Sequence, residues 1–221
     1  MATGRAPRHL RCPHDRSCPP IDRARLWCLR HAESENVIGG VAGAVPRAPL
    51  TPRGHEQAAA AARALAHEPI VKVYASTALR ARQTADTIAA TMNLDVATMT
   101  ELVEVGIGTA EGTVDPVIRA QTAEVLHAWV VHQDLDRRVA DGETGHEVLA
   151  RVSSAFTEIA ARHSGTTVAV VGHVATLTVA VSLLCGLGSR VWGTPLAHAE
   201  PFLVEWDGQG WSCSAWPTGA V

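Results

Sequence analysis

The stretch "LWCLRHAESEN", residues 26–36, decides how the rest of the chain is read. Apolar residues run to Leu29 and stop on Arg30 and His31, and a polar cluster follows. A short apolar run ending on an arginine and a histidine reads as a buried strand whose carboxyl end opens into a crevice. Two further runs have polar ends. "IVKVYAS" ends on Ser76 and leads into a helix with Arg80 in its first turn, and "TTVAVVGH" ends on His173. Ligands of an open α/β sheet bind beyond the carboxyl ends of its strands, so two histidines and two arginines are expected on one rim. Arginine forks match phosphoryl oxygens, and a helix N-terminus adds N–H donors. Any one of these residues alone reads as a solvated strand end. Together they are poorly explained that way.

Outward from these strands the pattern alternates. Thr51 and Pro52 read as the cap and first position of an alanine-rich helix reaching about residue 67. A helix over 79–92, a short strand over 96–99 and a helical, tryptophan-containing segment near 115–132 follow. A helix over 146–163 leads into the strand that ends on His173; then come an apolar helix and a hairpin turning at Asp207-Gly208. The fold class is α/β, a three-layer sandwich with a mainly parallel central sheet flanked by helices. Residues 1–22, rich in Arg, Pro, Cys and His without periodicity, are expected to be a disordered extension. Residues 23–221 form one expected domain with a helical insert at about 113–143.

Composition narrows the function. The chain has 221 residues, 47% of them hydrophobic, and a formal charge of -3 from nineteen basic and twenty-two acidic side chains. No basic stripe appears, so no nucleic-acid partner is expected. The longest apolar run, near residues 174–187, is too short to span a bilayer, and no apolar h-region follows the basic start. With five scattered cysteines, of which Cys28 and Cys185 sit in apolar segments as buried thiols, a reducing cytoplasm is expected. Cys12, His14 and Cys18 lack a fourth ligand for zinc. His127 and His132, five apart on a helix, are expected on different faces, so no metal is expected there either. Glu33 and Glu143 read as loop-ordering or capping carboxylates, and the tryptophans, Trp129 and Trp192 among them, as packing.

The chain resembles the histidine phosphatase superfamily, with its phosphoglycerate mutase-like fold. "LRHAES" is similar to the family's RHG signature, and "STALRARQTA" to its second-arginine segment. "ELVEVGIGTAEG" is similar to the L-x-E…G-x-x-E-G element, "DGETGHEVLARV" to the G-E-S…R-V helix start, "VAVVGH" to the second-histidine strand, and "APLTPRGHEQA" to the P-L-T…Q-A helix entry. The resemblance implies His31 as the nucleophile that becomes phosphorylated, Arg30, Arg80 and His173 in the phosphate pocket, and Glu104 as proton donor. Ser34, Asn36 and Val174 are the implied substrate-binding residues. Ala32 and Val174 stand where the family has glycines and are expected to add methyls near the phosphoryl site. Val37 occupies a slot often held by asparagine, with Asn36 one place early, and Arg47 replaces an acidic residue.

The chemistry needs these types. A neutral imidazole can attack phosphorus and split a slow hydrolysis into two easier steps. The arginines, with His173 as imidazolium, neutralise charge on the equatorial oxygens, and a carboxyl protonates the leaving group and then deprotonates water. No step needs a metal or other cofactor. The expected activity is that of a metal-independent, histidine acid-type phosphomonoesterase acting on a small-molecule phosphate ester. A phosphoglycerate mutase-type phosphotransferase and an inactive binding or regulatory module on the same fold are the alternatives. No membrane partner is expected, and a homodimer is left open.

Overall fold

A computed structural model describes residues 23–217. Its frame is a six-stranded sheet in the order β3-β2-β4-β1-β5-β6. The strands are β1 (Ala24–Arg30), β2 (Ile70–Ser76), β3 (Val96–Met99), β4 (Thr167–Gly172), β5 (Phe202–Trp206) and β6 (Trp211–Ser212). The first four run parallel, and β5 and β6 add an antiparallel edge. Every residue of β4 is buried, as a central parallel strand covered on both faces requires. The turn after β5 is closed by Asp207, whose Oδ1 accepts from the amides of Gln209 and Gly210 at 2.9 and 2.8 Å.

Side-chain alternation along the strands divides the core in two. Leu26, Cys28, Val168 and Val170 point into one layer, with Val152, Phe156 and Ile159 of α5 (Gly145–Arg162) and Leu177 of α6 (Val174–Leu184). Leu29, Ala169 and Val171 point into the other, beneath α2 (Pro52–Leu65) and α3 (Leu79–Met92). The apposed helix faces there carry Ala58, Ala61 and Ala62 against Ala81, Ala85 and Ala89, small side chains that let the two helices pack closely on the sheet.

Local chemistry starts the helices, α2 at the expected Thr51 cap and α5 one residue before the expected residue 146. Thr51 accepts from Gly54 N at 2.9 Å with Pro52 behind it, and Thr144 and Glu147 form a reciprocal capping box on α5. A side chain at Gly54 would collide with the Glu33 carbonyl, so the entry to α2 demands glycine. Asp115 caps α4 (Pro116–His127), which runs into a π-helical turn over Ala128–His132. Trp129 in that turn is buried and donates its indole N–H to Arg137 O at 2.9 Å. The short helix α1 (Glu35–Ile38) follows β1 directly.

The π turn corrects one expectation. Its i→i+5 hydrogen bonding puts more residues in each turn and brings residues five apart onto one face, so the His127 and His132 rings meet at 4.9 Å instead of facing apart. Trp192 is exposed and lies 4.7 Å from the His127 ring, so it packs on the insert and not in the core. Cys28 is buried, Cys185 and Cys213 are half-buried, and all three are free thiols. The extension at residues 1–22, with Cys12, His14 and Cys18, lies outside the described residues. Among the described residues no helix is long and apolar enough to cross a membrane.

Candidate active site

The site follows from the register of three parallel strands. Arg30 pairs with Gly172 and Ala75 with Val171, which brings His31, His173 and Ser76 to one level at the carboxyl edge. His31 N donates to Gly172 O at 2.9 Å, and the two imidazoles lie 5.0 Å apart, edge to face.

His31 is 2% exposed. Its Nδ1 sits 2.7 Å from the Ala32 carbonyl, which accepts only if Nδ1 carries the proton, so Nε2 holds a lone pair. Arg80 Nε donates to that Nε2 at 3.0 Å. Burial first, then the neighbouring His173, Arg80 and Arg30, pushes His31 well below the ordinary imidazole range and keeps the ring neutral.

Arg80, in the first turn of α3, is 1% exposed and its fork is fully engaged. Beyond His31 it donates to Val45 O at 2.7 Å, to Ala44 O at 3.0 Å and to His173 Nδ1 at 3.1 Å. Val45 holds a left-handed backbone at φ 35°, costly for a β-branched residue, and that residue presents its carbonyl to the arginine.

His173 is fully buried. Its Nδ1 accepts from Arg80, so Nε2 carries the proton and donates to Ser76 Oγ at 2.8 Å. Burial, then Arg80, pushes His173 well below its ordinary value. In this geometry both nitrogens are engaged, and the neutral ring orients Arg80.

Arg30 donates through Nη1 to Leu196 O at 3.1 Å, while its buried Nε has no partner. A buried guanidinium donor left open beside two histidines is suited to an anion.

Glu104 stands opposite, where its carboxylate caps α6. Oε1 accepts from Val105 N at 2.9 Å and from Thr176 N at 3.0 Å, while the Thr176 hydroxyl donates to Val103 O at 2.7 Å; Oε2 accepts only from Ala175 N, at 3.3 Å. Oε2 is thus the oxygen with capacity to spare. The strand-to-helix loop bearing Glu104 is pinned by Arg151, which donates to the carbonyls of Glu101 and Val103 and pairs with Glu143 at 2.8 Å. Glu33 orders the α2 entry by accepting from Thr51 Oγ1 at 2.8 Å.

Arg30, His31, Asn36, Arg80, Glu104 and Val174 line one cavity of about 290 Å³. Two anticipated positions differ. Ser34 is wholly buried behind that wall and donates to Asn36 Oδ1 at 2.8 Å, so it orients Asn36 and leaves the amide's Nδ2 as the free donor. Ala32 packs its methyl into the layer under α2 and α3, so Val174 alone of the two replaced glycines adds bulk to the site. Sequence reading missed Thr176, which clamps Glu104, and His198, whose Nδ1 donates to His31 O at 3.1 Å. Thr176 could have been found as an N-terminal residue of the helix after the second histidine; His198 carries no local signal. It also missed Arg119, Thr122 and Leu126, which share one face of α4 over the cavity.

The family model for the histidine phosphatase superfamily (branch 1) matches residues 26–218. The chain belongs to that superfamily. Phosphoserine phosphatase 1 of Hydrogenobacter thermophilus is 30% identical over 183 residues, 82% of this chain and 86% of the relative. A 2,3-bisphosphoglycerate-dependent phosphoglycerate mutase of Thermoplasma acidophilum is 40% identical, but only over 85 residues, 38% of this chain. Among solved structures, a mycobacterial glucosyl-3-phosphoglycerate phosphatase superposes with a TM-score of 0.75 at 24% identity, covering 89% of this chain and 100% of that one. An Escherichia coli protein described as a putative alpha-ribazole-5'-P phosphatase gives 0.70 at 24%, covering 86% and 94%. These structures share the phosphoglycerate mutase-like fold with this histidine phosphatase.

Proposed function

We propose that the chain hydrolyses a small-molecule phosphomonoester in two steps through a phosphohistidine at His31. One observation carries this reading: a buried imidazole with Nδ1 held by a carbonyl and the Nε2 lone pair turned toward an arginine fork. In the first step Nε2 forms a bond to phosphorus as the bond to the ester oxygen breaks. Arg80 Nε–H, which donates to that lone pair here, passes to a phosphoryl oxygen, joined there by the open Arg30 Nε–H and the Asn36 amide. Protonated Glu104, through Oε2, gives its proton to the departing oxygen. In the second step water attacks phosphorus, Glu104 takes its proton, and the N–P bond breaks to release inorganic phosphate and restore His31. The arginines supply the positive charge that other phosphatases draw from metal ions. The phosphatase names of the relatives that match along most of their length support hydrolysis over transfer.

Rapid quenching during turnover should trap acid-labile phosphate on His31, and His31→Ala should lower kcat by at least ~10⁴-fold. Label on another residue would overturn the mechanism. Phosphate release without a diphosphorylated activator is expected; strict dependence on one, with transfer to a second hydroxyl, would mark a mutase.

A further inference from the structure

Resting on that reading, we propose that the substrate's leaving group carries an apolar arm, and that this arm is seated in a second cavity opening off the first. Arg30, His31, Asn36, Arg80 and Glu104 supply the polar lining of the site, and the remaining wall includes Val105, Ile107, Leu126 and Val174, with Arg119 and Thr122 of α4 on the same face as Leu126. A second cavity of about 240 Å³ adjoins it, with Leu126 and Val174 lining both, so the two spaces meet along these side chains. Val191, Trp192 and Pro195 form much of the second wall, with Thr178 and Thr194 as its polar side chains, and no ionisable side chain lines it.

A phosphoryl group with a short polar leaving group fits the first cavity alone and gains nothing from the second. An arm rich in hydroxyls or carboxylates would surrender its hydrogen bonds to water there without a charged partner. An apolar arm gains on entry, in proportion to the area it removes from water. Trp192 points the same way. It is a large apolar side chain 38% exposed at the cavity wall, and the His127 ring braces it at 4.7 Å. The brace depends on the insert, since α4 supplies both His127 and the shared wall residue Leu126. Val174, at the first position of α6, lines both spaces.

The test is a series of n-alkyl phosphates from ethyl to hexyl. kcat/KM should climb once the chain passes Leu126 and Val174, by up to about fourfold per added methylene, mainly through KM. The hexyl-to-ethyl ratio should fall at least fivefold in Trp192→Ala, which removes the wall, and in Thr194→Phe, which fills the space. A flat or falling series, or an unchanged ratio in both variants, overturns the proposal. Failure to hydrolyse any ester, p-nitrophenyl phosphate included, would instead remove the phosphatase reading and this inference with it.

Discussion

The carboxylate of Glu104 does two jobs in one place, capping α6 through Oε1 and presenting Oε2 to the site. A glutamine keeps an oxygen acceptor for Thr176 N and Val105 N and gives up only the long Ala175 N contact, so Glu104→Gln should largely preserve the loop while losing the proton. The loss then depends on the leaving group. An alkyl phosphate expels a basic alkoxide and should suffer within the roughly 10²–10⁴-fold range of general acid catalysis. A nitrophenyl ester expels a stabilised phenolate and should keep a near-normal burst. Single-turnover bursts with both esters make the comparison; equal slowing of the two would leave Glu104 as a helix cap alone. Arg30, His31, Arg80 and His173 were legible in the sequence because strand ends and a helix start announce them. The state of His173 was not, because it depends on Ser76 and Arg80 lying against its two nitrogens.

At the scale of elements, Arg151 ties α5 to the loop that carries Glu104. It serves the Glu143 carboxylate and the carbonyls of Glu101 and Val103 at once, with its side chain 17% exposed. Arg151→Met would strand those acceptors in a half-buried place. The cost should be about 2–3 kcal/mol, below that of breaking a fully buried pair because solvent reaches this one. A lower denaturant midpoint at unchanged m would show it, and a midpoint shift worth under about 0.5 kcal/mol would mean the loop holds itself. Element boundaries were legible where local chemistry sets them: α3 and β3 span the residues that periodicity and flanking signals predict. The π turn was not, since a helix with one extra residue per turn looks like an ordinary helix in sequence. That turn is what brought His127 and His132 together.

For the whole molecule, folding buries two neutral histidines at the centre of the sheet edge. Both folded values lie well below the ordinary imidazole value, so below about pH 6.5 the unfolded chain binds protons that the folded one refuses. Stability is thus fully present above that pH and falls as pH drops, by up to about 1.4 kcal/mol per pH unit for each ring. The less buried His163 and His198 shift in the same direction and add to the effect. Melting temperatures should fall between about pH 6.5 and about pH 5, above the range where carboxylates protonate. A flat profile across that window would show that the rings accept protons in the folded state.

Sequence by itself determined the α/β alternation, the helix start at Thr51, and the strand-end residues that furnish the site. These are local: a period, a cap or an apolar run is written in neighbouring residues. Tertiary structure alone decided the strand order, with β4 placed between β1 and β2, and so the contact of His31 with His173 and the seat of Ser76 beneath it. It also decided that Ser34 supports Asn36 from behind and that Ala32 faces the core. It also set Leu126 and Val174 in the walls of both the site cavity and a second, largely apolar one. Apart from the Ser34–Asn36 bond, which is local but turned inward by the packing, each of these is a contact across many residues of chain, fixed by which faces the packed layers bury.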